Sequence, residues 1–159
     1  MTADVELIAA VEGTWLLLRA GDKDYALDAG LVREVVSFPG EAEFLPVPRA
    51  APEIRGALVI RGRPVPSLSL TYWLEGAAPA RDRDSVLVVL EVPGLELGLA
   101  VEAVAGPGGL AMQGEEEPDR EHFLLGSGIL ENWPVRVLNG EALVARLREE
   151  LGIPRRGKQ

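Results

Sequence analysis

Apolar and polar positions alternate most clearly at Leu95, Leu97, Leu99 and Val101, with Glu96, Gly98 and Ala100 between them, which predicts a half-buried strand. The β-branched run Val86 to Val92 precedes it, and Pro93-Gly94 turns the chain between the two. Trp15 to Arg19 and Tyr25 to Leu27 flank Gly21-Asp22-Lys23-Asp24 and predict a second hairpin. Ala57 to Ile60 and Val65 to Leu70, separated by Arg61-Gly62-Arg63-Pro64, predict a third, and Ile129-Leu130 with Val135 to Leu138 a fourth.

Helical spacing is confined to the ends. Val5, Ile8 and Val11 behind Asp4 predict a short helix within residues 1–12. Asn139 caps a helix whose Leu143, Leu147 and Leu151 share one face, ended by Gly152 and Pro154. Leu31 to Val35 has the length of one helical turn or a loop rim. Phe44 to Pro52 reads as a proline-punctuated crossing loop, Gly76 to Asp84 as a connector too polar for a core, and Gly114 to Glu121 as a solvated acidic loop.

The chain also echoes itself. Gly56 to Leu68 set against Gly126 to Leu138 aligns Gly56 with Gly126, Pro64 with Pro134, Val65 with Val135 and Leu68 with Leu138, and pairs Val59 with Ile129 and Ile60 with Leu130. Tyr25-Ala26-Leu27 matches Leu97-Gly98-Leu99 at nearly the same offset. Two similar small β units follow, each too small to bury much surface alone, so they share a core.

Composition narrows the chemistry. Eighteen glycines and 12 prolines among 159 residues agree with short strands and many turns, an all-β design with minor helices. With no cysteine, disulfide scaffolds, thiol nucleophiles and thiolate metal sites are excluded. The one histidine, His122, has no metal-ligand spacing around it and reads as an ordinary side chain. A net charge of −9 and an aromatic content of 5% oppose nucleic-acid binding. Apolar runs are too short to span a bilayer, and Asp4 and Glu6 stand where a signal peptide needs cations, so a cytoplasmic location without membrane insertion is expected. Within residues 45–75 four arginines face two glutamates, a local reversal of sign that suits a partner patch. An enzyme would have to rest on Asp22, Asp24 and Asp28, or on Glu115, Glu116 and Glu117, as glycosidase carboxylates or Ca²⁺ ligands; the first group lies at a hairpin and the second in a charge run.

Tyr25-Ala-Leu-Asp, Leu31-Val-Arg-Glu34-Val, Leu45-Pro-Val-Pro48, Ile54-Arg-Gly56-Ala-Leu-Val-Ile-Arg61-Gly62-Arg-Pro-Val65-Pro66-Ser-Leu68 and Leu97-Gly-Leu-Ala-Val101-Glu-Ala-Val104 together resemble the CheW-type chemotaxis adaptors. The resemblance implies two SH3-like five-stranded β-barrels related by approximate twofold symmetry, with a C-terminal helix. It further implies a domain over residues 13–152 made of two intertwined barrels, an extension at 1–12 and a tail at 153–159. Such adaptors are non-enzymatic and carry no cofactor or metal. They join the cytoplasmic tips of chemoreceptors to the regulatory domain of the histidine kinase CheA, or serve a related kinase such as one for pilus motility.

On this resemblance Val32, Glu34, Gly56, Arg61 and Gly62 are the receptor-facing candidates, with Glu34 and Arg61 expected to pair. Gly98, Val101 and Val104 are the candidates for partner binding on the second barrel. Two positions depart from the family pattern: Val59 stands for a common Asn and Ser69 for a common Asp. Gly56, Gly62 and Gly126 also suit tight barrel corners, where a backbone needs φ above zero or close approach.

Overall fold

A computed structural model of the chain describes residues 9–38, 44–46, 54–75, 84–92, 95–115 and 123–150. Ten strands and two helices follow in order: β1 Ala9–Ala20, β2 Lys23–Asp28, β3 Val32–Ser37, β4 Ile54–Ile60, β5 Arg63–Ser69, α1 Leu70–Glu75, β6 Val86–Val92, β7 Leu95–Val101, β8 Ala103–Glu115, β9 Leu124–Leu130, β10 Trp133–Leu138 and α2 Gly140–Glu150. A single 3₁₀ turn, Ala29–Leu31, joins β2 to β3. Among the described residues no helix is long and apolar enough to cross a membrane.

The strands form two five-stranded units. One is a closed barrel in the order β1-β2-β10-β9-β8, and the other a sheet in the order β3-β6-β7-β5-β4. The internal repeat is thus real but exchanged. Counting five strands per repeat, β1 and β2 of the first repeat complete the barrel built by β8 to β10 of the second, while β6 and β7 enter the sheet built by β3 to β5. The pairing registers repeat with it. Gly56 opposite Ser67, Leu58 opposite Val65 and Val59 opposite Pro64 recur as Gly126 opposite Val137, Gly128 opposite Val135 and Ile129 opposite Pro134. Four contacts join strands of different repeats: β5 with β7 and β10 with β2 are parallel, β1 with β8 and β3 with β6 antiparallel.

Alternation along the central strands explains why the exchange holds. Val88 and Leu90 of β6, Leu97, Leu99 and Val101 of β7, and Tyr25 and Leu27 of β2 face a core shared by both units, which Leu68, Leu138, Leu143 and Leu147 complete. Their neighbours turn the other way: Leu87, Val89 and Ala100 fill the inside of the sheet with Val65 and Ile60, and Ala26 fills the barrel with Trp15, Leu110, Val135 and Val137. Strands buried on both faces read as unbroken apolar runs, as Val86 to Leu90 does. Burying each such leucine or valine stabilises by about 1.5–3 kcal/mol, so the shared core binds the two units into one folding body.

Several sequence expectations are corrected. Residues 9–12 belong to β1, pairing Ala9 with Met112 and Val11 with Leu110, so no helix reaches Val11; residues 1–8 lie outside the described part. Leu31 to Val35 is mostly the edge strand β3, whose short length disguised its alternation. Leu70 leaves the sheet and starts α1, a helix too brief for a periodic signal. Asp84 is 1% exposed rather than solvated, because the Ser69 hydroxyl donates to its Oδ2 at 3.4 Å across the end of the sheet. Gly114 and Glu115 continue β8, whereas residues 116–122, His122 included, lie outside the described part, as do 47–53 and 76–83. The cap on α2 is as expected: Ala142 N–H donates to Asn139 Oδ1 at 3.2 Å. Ser69 occupies the matching place before α1. An Asp-to-Ser change there exchanges one cap-competent residue for another.

Candidate functional site

β3 and β4 are the two edges of the sheet, and among the described residues no ladder closes the seam between them. In the barrel the equivalent seam is zipped by β8 against β9, with Leu110 opposite Leu130, Ala111 opposite Ile129 and Met112 opposite Gly128. In the sheet, the described residues supply one isolated bridge, Leu45 with Ala57, whose two N–H···O bonds are each 2.8 Å. Gly56 makes that bridge possible: its φ is +127°, and a Cβ there would stand 2.5 Å from the Leu45 carbonyl oxygen. Its requirement is therefore structural, whatever partner the surface meets.

Glu34 and Arg61 span the end of this seam. Glu34 sits on β3 opposite Val89, and Arg61 is the first residue of the two-residue turn that joins β4 to β5. Arg61 and Gly62 have φ of +52° and +80°, the double left-handed geometry that fits the twist of a tight hairpin. The turn thus consists of Arg61-Gly62 alone, with Arg63 and Pro64 already in β5. Arg61 Nη1 donates to Glu34 Oε1 at 2.6 Å. The carboxylate side chain is 16% exposed and the guanidinium 72%, so the pair presents a cation outward over a shielded anion. With one partner so exposed, the pair contributes about 0–1 kcal/mol and acts by orientation.

A second ionic group stands beside it. Arg33 Nη1 lies 2.9 Å from Glu96 Oε2, Arg63 Nη1 3.3 Å from Glu96 Oε1, and Arg33 Nη1 3.4 Å from Glu91 Oε2. It ties β3, β5, β6 and β7 together across the same end of the sheet. The sequence reading missed it because its members are far apart in the chain. Around the seam the apolar surface is also unusual: Val35, Leu45 and Val59 are 45%, 49% and 53% exposed, three of the five large apolar side chains exposed among the described residues. Val59, where the family commonly has Asn, adds hydrocarbon to this face two residues before Arg61.

The candidates separate by location. Glu34, Arg61, Gly62 and Gly56 gather at the seam, and Val32 begins β3 opposite Leu90, half-buried against the shared core. Gly98, Val101 and Val104 do not form one surface. Val101 is fully buried in the shared core, Gly98 lies under the Leu87 side chain, and Val104 packs partly buried against the shared core opposite Leu18. Two of the six carboxylates weighed for catalysis are engaged in local structure, Asp28 Oδ1 accepting from Gly30 N–H at 2.8 Å and Asp24 Oδ2 from the Trp133 indole at 2.6 Å, while Glu116 and Glu117 lie outside the described part. Among the described residues no group of three or more His, Cys, Asp or Glu could hold a metal ion.

Comparison with known proteins matches residues 14–148 to the family model "CheW-like domain". The solved structure of the scaffolding protein TtCheW from Thermoanaerobacter tengcongensis is similar in fold, with a TM-score of 0.62 and 19% identity over 80% of this chain and 89% of that one. No curated protein sequence matches significantly.

Proposed function

Because the chain belongs to the CheW-like domain family, we propose that it is a non-enzymatic adaptor linking the cytoplasmic tips of chemoreceptors to the regulatory domain of a CheA-type histidine kinase. The observation that carries this reading is the Glu34–Arg61 pair, which joins two residues 27 apart in sequence at the open seam of the sheet and turns a guanidinium outward. A preset ionic pair flanked by exposed Val35, Leu45 and Val59 offers both an apolar contact area and a charge that fixes orientation. On this reading the outside of the closed barrel is left for a second partner, apart from the seam of the sheet. The reading places the domain at residues 13–152 and its site of action in the cytoplasm.

Exposed Val59 favours a partner surface that differs from the common one, which fits a divergent module serving another kinase array such as one for pilus motility. A reconstituted assay separates these outcomes. Mixed with chemoreceptor-bearing membranes and CheA-type kinase from the source organism, the wild-type chain is expected to raise kinase autophosphorylation. Arg61→Glu is expected to lose most of that effect while folding stability changes by less than about 1 kcal/mol. Binding to none of the organism's CheA-type kinases would overturn the adaptor reading, and a collapse in stability would make Arg61 structural.

A further inference from the structure

We infer that the exposed indole of Trp133 is the anchor by which the closed barrel holds the regulatory domain of the kinase, through an apolar contact bordered by cations of that partner. This rests on the adaptor reading given above.

Five large apolar side chains are exposed among the described residues. Val35, Leu45 and Val59 belong to the seam of the sheet, and Leu125 and Trp133 to the β9–β10 hairpin of the barrel. Trp133 is the one aromatic of the five, at 51%. Its polar edge is already matched. The indole reaches from β10 to β2 and donates to Asp24 Oδ2 at 2.6 Å, and Asp24, whose side chain is 14% exposed, is backed by Arg19 Nη1 at 3.5 Å. A ring oriented before binding loses little freedom when a partner covers it, and tryptophan is enriched among the residues that carry binding energy. The aromatic is peculiar to the barrel, because the twin position in the sheet holds Arg63, bound to Glu96 at 3.3 Å.

The surroundings suit such a contact. Val135, Leu130 and Leu110 point into the barrel, so their neighbours Pro134, Ile129 and Ala111 point outward. Pro134 stands opposite Ile129 and Ile129 opposite Ala111, which brings hydrocarbon from three strands to the outer wall beside the ring. Exposed Arg136 and Ser127, opposite each other in the same hairpin, border that row. An apolar centre with a polar border is the anatomy of a protein contact. The parallel pairing of Tyr25 with Arg136 sets the starts of β2 and β10 at one end of the barrel, where Asp22, Asp24 and Glu131 outnumber Arg19 and Lys23. In a chain of net charge −9, that end draws a lysine or arginine of the partner, which the face of the indole also accepts.

Binding of the ¹⁵N-labelled chain to the unlabelled regulatory domain of a CheA-type kinase from the source organism tests this, with a chemoreceptor-tip fragment as the second ligand. The Trp133 indole N–H resonance, assigned by its loss in Trp133→Phe, is expected to shift with the kinase domain and to stay in place with the tip. Calorimetry is expected to show Trp133→Ala weakening kinase-domain binding by about tenfold or more, and Trp133→Phe by about threefold because the ring remains and its tether to Asp24 is lost. Both variants are expected to keep cooperative unfolding and tip affinity within about twofold, and wild-type affinity for the kinase domain to fall as salt is raised. Kinase-domain binding that Trp133→Ala leaves unchanged, or a Trp133 resonance that answers to the tip instead, would overturn the inference and leave the adaptor reading intact. Salt-independent binding would remove the cationic border. Absence of kinase-domain binding by the wild-type chain would overturn the adaptor reading and the inference with it.

Discussion

The barrel and the sheet descend from one strand pattern and end in different states. Their hairpins, registers and left-handed turns coincide, yet β8 runs on from Ala103 to Glu115 and zips onto β9, while β3 stops at Ser37. A continuous ladder satisfies backbone groups without help from side chains. In the sheet, where the described residues supply the single Leu45–Ala57 bridge, the Glu34 and Arg61 side chains also tie the two edges together. The difference teaches that two copies of one strand pattern can diverge at their edges, because an edge without a ladder leaves backbone and side-chain groups to be matched in another way.

The largest test concerns what the two halves share. Leu68→Ala and Leu138→Ala, twin substitutions in the common core, are each expected to destabilise by about 2–5 kcal/mol, in a single unfolding transition. Denaturant unfolding followed by both fluorescence and circular dichroism checks this, and two separate transitions would show the halves to be independent. A middle-sized effect belongs to the seam of the sheet. Gly56→Ala is expected to cost about 1–3 kcal/mol, because the added Cβ at φ +127° meets the Leu45 carbonyl; thermal melting reads it.

The smallest effect compares the polar rims. Asp24 accepts from Trp133 in the barrel where its twin Glu96 forms an ion pair with Arg63 at 3.3 Å in the sheet, so the acid is kept and its partner changed. Trp133→Phe is expected to cost about 0.5–1.5 kcal/mol and Arg63→Met about 0–1 kcal/mol, the shorter bond mattering more. Chemical denaturation of both variants side by side decides the order, and a larger loss from Arg63→Met would reverse the ranking of the two rims.

Much of this fold is legible in the sequence wherever a strand is long, β-branched or followed by a turn. β6 and β7 announce themselves by run and alternation, β9 and β10 by their match to β4 and β5, and α2 by Asn139 and its leucine spacing. β8 does not, since Ala-Gly-Pro-Gly-Gly at 105–109 has the composition of a loop and is held as strand by pairing with β1 at Ala105 and Gly108. In the candidate site, Glu34 and Arg61 were named from resemblance and the tertiary structure joins them, whereas Gly98 and Val101 prove to be buried packing positions. The Arg33–Glu96–Arg63 network left no trace in the chain, because its residues have no common spacing.

By itself, then, the sequence determined the number of similar units, most strands, their inward and outward faces and the terminal helix. All of these follow from side-chain periodicity and turn chemistry within a few neighbouring residues. Only the tertiary structure decided which strands changed partners, which seam closed and which charges met. Alternation tells a strand which face to bury and says nothing about which edge it will find, and that choice was made by the leucine core that the two halves can fill only together.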